Sequence, residues 1–444
     1  MSIKQGVCKL TRVILLCFLK IVPSYAQSTA QTETLEELLE HAAEQTQEEN
    51  SDQNPLLEDL LFYSLHPVAL NRAKKEELQA IRLLSDIQIA QLLSHIEKNG
   101  QPLTIYELQA IEGFDLLTIQ KLLPYVYLDT ANITSLLNRT GFLKNAEQTV
   151  VLRFGQVLEK QKGYSPIDSL AQYKSPNSRY IGSPQKIFAA YRFKGKNVSM
   201  GLITEKDPGE LFFKQHSGFD FYSAHAFIHD ATTKKAVAIG DYTISFGQGL
   251  TAWSGNSLGK SVEMLYAKKS AGGIRPSTSA DENRFMRGIA ASYNIRKIKG
   301  TFFYSRKRID AKVSDTLENG EPAAISSLQQ SGIHSTPSEI QGKHAVLQTL
   351  YGGNLNYSGN RASMGLTFIH DQLHLPFQSS PGFDDEKSKQ QQFSTGLDYQ
   401  FIVRNFLFFG ETAMSDNTGI ALLNGVFISL DPRLGITVLH RYYG

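Results

Sequence analysis

Four stretches of this sequence carry residue types that could do chemistry. Gly255-Asn256-Ser257-Leu258-Gly259 has the G-x-S-x-G spelling of a serine nucleophile on a tight strand-to-helix turn. Gly259-Lys260-Ser261 has the ending of a phosphate-cradling loop. His225 with His229, and His370 with His374, stand four residues apart, the spacing with which a helix offers two imidazoles to one metal ion. Each chemistry has a structural requirement that the surrounding sequence fails. The serine follows an amphipathic strand pattern into a polar stretch, with no buried parallel strand before it. The phosphate loop has Ser254 where its first glycine belongs. The histidines lie in alternating, strand-like sequence, where four residues span roughly 13 Å, too far to share an ion. With no set of acid, base and nucleophile, the sequence predicts a non-enzymatic protein without cofactor or metal.

The elements around these residues sort the chain into four parts. At 444 residues, 41% hydrophobic and 20% charged, it has room for two or more domains. Beyond the leader, no stretch approaches the roughly 18 apolar residues of a spanning helix. A mean hydropathy of −0.24 suits a soluble protein or a transmembrane β-barrel equally, because a polar lumen and loops dilute the barrel's apolar face. Lys4, Lys9 and Arg12 precede an apolar run from Val13 to Val22 broken only by Lys20, and Ser24-Tyr25-Ala26 supplies a small-residue exit. This predicts a secretion signal over 1–26. Both cysteines, Cys8 and Cys17, fall within it, so the mature chain is expected to have no thiol chemistry. Residues 27–65 hold ten Asp or Glu and no Lys or Arg, an acidic spacer. It has two weak apolar stripes, one around Leu35 and Leu38 and the other around Leu57 and Leu60.

Residues 66–128 read as two helix-turn-helix units about 30 residues apart. Asn71 caps a first helix carrying Leu78 and Ile81. After Leu84-Ser85-Asp86, a second helix buries Ile87, Ile89, Leu92, Leu93 and Ile96 and stops at Asn99-Gly100. Helices over Tyr106–Ile111 and Leu116–Leu122 flank the turn Glu112-Gly113-Phe114-Asp115, and Pro124 ends the last. Asn71-Arg72-Ala73, Glu77-Leu78, Asn99-Gly100, Glu107-Leu108, Ile111-Glu112-Gly113 and Lys121-Leu122-Leu123-Pro124-Tyr125 resemble the tandem helix-hairpin-helix module of the periplasmic DNA receptor of competence systems. The resemblance implies that backbone N–H groups at Gly-hydrophobic-Gly hairpins cradle duplex DNA phosphates without reading sequence. Here it points to Ser85, Gly113 and Phe114 at the hairpins, with Lys98 and Lys121 beside them.

The sequence departs from that pattern where it matters. The first hairpin keeps neither glycine and the second keeps one, while Asp86 and Asp115 stand where an anion would sit. Six Lys or Arg face seven Asp or Glu across the module, whereas phosphate binding calls for clustered positive charge. Two readings stay open: non-sequence-specific DNA binding or uptake, or a retained fold used for packing or for contact with another envelope protein.

From residue 129 the character changes. Taking away the four basic residues of the leader, the ten acids of the spacer and one net negative charge of the module leaves +9 for 129–444. Period-two patterning recurs, as in Ile187, Ala189, Tyr191 and Phe193 against Phe188, Ala190, Arg192 and Lys194. Strands are expected to begin near 149, 185, 198, 219, 235, 288, 298, 345, 361, 392, 405, 419 and 434. The connections alternate long and short, as outer-membrane barrels require. Forty-four Tyr and Phe residues suit interface girdles. Lys268, Lys269 and Arg275 are expected in loops that attract polyanions, lipopolysaccharide included.

Gly240-Asp241-Tyr242, Phe246-Gly247-Gln248-Gly249-Leu250, Glu282 and Arg287-Gly288 resemble a family of bacterial outer-membrane proteins with a helix-hairpin-helix region before a barrel. The expected fold is therefore α+β and multidomain: an all-α tandem helix-hairpin-helix module, then a large antiparallel transmembrane β-barrel over 145–444. The expected place is the bacterial outer membrane, with lipid as partner and the module in the periplasm. Thirteen strands is an odd number, which predicts either a misplaced strand or a chain that continues beyond Gly444.

Overall fold

In the structure, a computed structural model, the residues described are 63–64, 67–71, 73, 75–81, 83–100, 102, 104–128, 146–166, 173–195, 197–212, 218–230, 235–254, 267–316, 322–378, 390–416, 419–431 and 434–444. The leader, nearly all of the acidic spacer and the two loop motifs within 255–261 lie outside them. Among the described residues no helix is long and apolar enough to cross a membrane.

The helical module begins with β1 (Val68–Ala69), α1 (Lys75–Ile81) and α2 (Asp86–Asn99). A 3-10 segment (Ile105–Ala110), α3 (Leu116–Leu122), a second 3-10 turn (Leu123–Tyr125) and β2 (Val126–Tyr127) complete it. Two features depart from the all-α expectation. β1 and β2 pair in parallel, Val68 with Val126 and Ala69 with Tyr127, tying the two ends of the module together. The third helix, between a cap at Thr104 and a stop at Ile111, is 3-10 rather than α. Ser85 caps α2 in a reciprocal capping box with Gln88, and Asp115 caps α3 by accepting from the Thr118 N–H. Leu78, Ile81, Ile89, Leu92, Leu108, Ile119 and Leu122 form the buried stripe that the helical spacing predicts.

The remaining strands are β3 (Glu147–Gly155), β4 (Lys186–Lys194), β5 (Val198–Lys206), β6 (Phe221–Asp230), β7 (Lys235–Ser245), β8 (Gly273–Pro276), β9 (Met286–Ile295) and β10 (Ile298–Ile309). A hairpin of β11 (Ala311–Thr316) and β12 (Pro322–Leu328) stands apart and is followed by α4 (Pro337–Gly342). Then come β13 (Val346–Ser358), β14 (Ala362–Leu373), β15 (Gln391–Val403), β16 (Phe406–Ser415), β17 (Ile420–Asp431) and β18 (Leu434–Tyr443). Thirteen of them form one antiparallel meander in the order β3-β4-β5-β6-β7-β9-β10-β13-β14-β15-β16-β17-β18, and β8 adds to β7. Every expected strand is present, each beginning within two residues of the position read from the sequence. β8, the β11–β12 hairpin and α4 were not expected. They are short excursions inside long connections, with too few residues to show a period.

Because the strands alternate in direction, the connections 195–197, 231–234, 296–297, 359–361, 404–405 and 432–433 share one rim. The connections 156–185, 207–220, 246–285, 310–345, 374–390 and 416–419 share the other, and all but the last are long. In the two-residue turns, Arg296 and Arg404 take φ of 54°, the left-handed conformation that such tight hairpins demand. β3 and β18, at the two ends of the order, run in the same direction, and no pairing between them is among those described.

The two faces of the sheet contrast. On one, a row of neighbouring side chains passes through Val150, Tyr191 and Leu202, another through Ile239, Ile289, Tyr304 and Tyr351, and a third through Leu355, Leu366 and Leu397. All are exposed, Val150 at 67% and Leu366 at 54%. The other face is buried in the middle of the sheet and half-buried or exposed along β3 and β18. Its core gathers Tyr242, Ile244, Phe246, Ala252, Ile274, Met286, Ala290, Phe303 and Ile369. The sheet curls around that inner face, since the turn after β7 reaches Glu411 on β16.

Candidate functional site

The interior is filled from both rims. At the short-turn rim the filler is the helical module. Ile87 of α2 enters an apolar cluster with Ile402, Leu407, Phe409, Leu423 and Phe427 from β15, β16 and β17, and Ala90 packs beside it. Glu97 accepts from Asn360 at 3.0 Å, and Lys75 reaches the Gly359 carbonyl at 3.5 Å, both in the 359–361 turn. Asp86, the first residue of α2, pairs with Lys268 at 2.9 Å and accepts from Gln79 at 2.6 Å. Burial works against the Asp86 charge, but the Lys268 ammonium and these hydrogen bonds outweigh it and hold the carboxyl below its usual range.

From the middle of the sheet, the turn Phe246–Thr251 folds inward. Gly247 and Gly249 have φ of 55° and 78°, so successive N–H groups converge on one point. That point is the Glu411 carboxylate, which accepts from Gln248 at 2.6 Å, Leu250 at 3.1 Å and Thr251 at 2.9 Å. A Cβ at position 247 would stand 2.7 Å from the Glu411 Oε2 atom, so only glycine fits. The Gln248 amide in turn donates to the Lys269 carbonyl and accepts its N–H. The glycine-rich stretch noted in the sequence is thus a carboxylate nest inside the protein. Lys268 and Lys269 correct a second expectation. They are not exposed loop cations, because Lys268 is spent on Asp86 and Lys269 lies 4.7 Å over the Trp253 ring.

At the long-loop rim, buried charge does the closing. His334 places Nδ1 2.5 Å from Asp220 and Nε2 3.0 Å from Asp310, and Lys343 adds a second cation to Asp220. Burial disfavours the imidazolium, but the two aspartates outweigh it and raise His334 to about 10, so both ring nitrogens donate. The same bonds hold Asp220 and Asp310 below the usual carboxylate range despite their burial. Glu210 accepts the N–H groups of His334 and Asp207, and burial beside Asp220 pushes it up to about 7. Desolvation and the nearby Asp220 and Glu210 push the half-buried Glu282 up to about 9.

These residues come from three long connections. A fourth joins through Ile181 N–H to the Ser335 carbonyl and Gly182 N–H to the Gly209 carbonyl. Donor atoms of Glu210, Asp220 and His334, and of Glu282, Asp310 and His334, lie within 4.8 Å of one another. Both His334 nitrogens are already bonded, and Lys343 neutralises Asp220, so the set works as an ion-pair network. Sequence reasoning missed this cluster, since its members lie up to 133 positions apart in the chain and no local spacing marks them.

The residues singled out for DNA contact scatter over different roles. Ser85 is occupied by its capping box. Gly113 has φ of 88° and gives its carbonyl to the Gln88 side chain at 2.8 Å, joining the two hairpins. Phe114 is buried in the module, while Lys98 and Lys121 are exposed on the last turns of α2 and α3. The spaced histidines make contacts of their own. The His225 Nε2 lies 3.4 Å from Ser199, and His370 is packed between Tyr351 and Phe393. His374 meets Thr349 at 3.1 Å. The Asp241 and Arg287 noted in the sequence do come together, as a bidentate pair at 2.7 and 2.8 Å.

No known protein family matches this sequence, and no curated protein does. Among solved structures, the chain is similar to an anion-selective porin from Comamonas acidovorans at 10% identity and a TM-score of 0.27. That likeness covers 67% of this chain and 89% of the porin. A mutant of the Rh. blastica porin is similar at 11% identity and a TM-score of 0.23, covering 67% of this chain and 94% of that one. Likeness this slight adds nothing to what the sheet itself displays.

Proposed function

We propose that the chain is a non-enzymatic outer-membrane β-barrel protein whose helical module serves as an internal docking element. The observation that carries this reading is the inverted sheet. A thirteen-strand meander buries the middle of its inner face and exposes rows of Leu, Ile, Tyr and Val on its outer one. In water such a surface would be an aggregation hazard; against lipid it is the stable arrangement. Strands of 9 to 13 residues match a tilted bilayer crossing. The short-turn rim and its module would then face the periplasm and the long loops the outside.

For the module, the supporting geometry favours packing over phosphate binding. Ser85 and Asp86 face partners within the same chain, and Asp86 is already neutralised by Lys268. A phosphate would have to displace that pair and bring its charge beside a carboxylate. The module's role is therefore contact, with the barrel interior and through its exposed side with another envelope component.

Two measurements test the reading. Outer-membrane fractionation with heat-modifiable gel migration is expected; recovery as a dispersed monomer without detergent would overturn the barrel. A mobility shift with duplex DNA and the full chain in detergent should show no complex at low salt. A complex whose affinity drops when Lys98 and Lys121 are replaced would restore the DNA reading.

A further inference from the structure

One chain of contacts joins the module to the inward turn 246–251. Glu411 holds the turn through three N–H groups, Gln248 grips the Lys269 backbone, and the neighbouring Lys268 pairs with Asp86 on α2. A second, apolar connection runs in parallel. Leu250 of the turn and Ala90 of α2 pack on the same cluster that holds Ile87 and Phe409. Lifting α2 would strip both at once, taking Asp86 from the half-buried Lys268 and the α2 contact from the cluster that Leu250 packs on.

We propose that this relay is an autoinhibitory latch: the seated module, through Asp86–Lys268 and the shared apolar cluster, keeps the 246–251 turn pinned across the interior, and unseating the module releases the turn. It rests on the docking reading above and goes beyond it by naming what docking controls. Asp86, the residue that spoils the hairpin for phosphate, is what the latch requires. A ligand for the module would then act on the interior without entering it, since any agent that binds only the unseated state shifts both equilibria together.

Hydrogen exchange of the full chain in detergent, read by mass spectrometry, tests it on two segments: the turn 246–254 and α2. Asp86→Lys and Lys268→Asp are each expected to speed exchange of the turn by about tenfold, within the usual range of coupling between sites. The double variant, with the charges swapped, is expected to return most of the way to the native rate. Reciprocity requires Glu411→Gln to speed exchange in α2 as well. Unchanged turn exchange in the single variants, or a double variant no closer to native than either single, would overturn the latch. Protected amides in β13 and β14 serve as the fold control, with Asp86→Asn replacing Asp86→Lys if they become exposed. The failures are distinguishable: rapid exchange of α2 in the native chain sinks the docking reading, whereas a protected α2 with an indifferent turn sinks only the latch.

Discussion

The two rims of the sheet are closed by different physics. At the short-turn rim, α2 is seated by apolar contact around Ile87 and Phe409, with one buried ion pair, Asp86–Lys268, to orient it. At the long-loop rim, the stitching groups are charged, with His334 between Asp220 and Asp310 and two glutamates pushed up to about 7 and about 9 beside them. Apolar burial does not depend on pH and tolerates sliding. A charge network demands its full set of partners and fails when one is missing. The first arrangement suits a part that must seat and unseat, the second a cap that stays shut under fixed conditions.

Removing the centre of the cap should have the largest effect. His334→Ala leaves Asp220 and Asp310 facing each other in a buried site, at a cost of about 3–5 kcal/mol to cap closure. Limited proteolysis within 310–345 should become rapid while the module end stays protected; an unchanged digestion pattern would show that the cap does not depend on its charges. At the other rim, Phe409→Ala should cost about 3–5 kcal/mol through the cavity it leaves, and it should expose α2 but not the cap. Equal loosening of both ends would abolish the distinction drawn here.

Acidity should separate the rims more gently. His334, raised to about 10 from 6.5, contributes fully below about pH 6.5 and is lost as pH rises through 10. Glu210 and Glu282, raised from 4.5 to about 7 and about 9, shift the balance the same way, so the cap weakens from about pH 5 upward. Asp220 and Asp310, depressed below 3.8, add stability present above that value and lost as pH falls through their lowered values. Cap protection should therefore peak near pH 4–5 and decline in steps to pH 10. Over the same range α2 should stay seated, because the depressed Asp86 loses its charge only in acid. Labelling of single engineered cysteines in each segment across pH would reveal a parallel loss at both ends, were this separation wrong.

Smaller effects sharpen the picture. Gly247→Ala forces a left-handed backbone and a close approach to Glu411, costing about 1–2 kcal/mol of turn closure, visible as faster exchange of that turn. Lys98→Ala and Lys121→Ala, on exposed helix ends, should change thermal stability by no more than about 0.5 kcal/mol. A larger loss would mean that these lysines hold the module in place after all.

Much of this is legible in the sequence. Each of the thirteen meander strands begins within two residues of its expected start, because a side-chain period of two writes itself into the sequence wherever one face is apolar. The α2 boundaries were equally plain, from the turn ending at Ser85-Asp86 to the Asn99-Gly100 stop. β8, β11–β12 and α4 were not, since segments of four to seven residues inside long connections hold no repeat. The site fared worse than the fold. Asp86 drew notice for what it would repel, yet its partner Lys268 lies in a connection that the sequence assigned to the surface. His334 drew none.

Local chemistry thus determined which residues form strands and where turns fall, because those choices depend on neighbours a few positions away. Only the curled sheet decided that Glu411 meets a turn some 160 positions earlier, that Lys268 meets Asp86, and that His334 lies between two aspartates. Pairings of that kind depend on which segments share an enclosed space, and a linear pattern carries no record of distance across one.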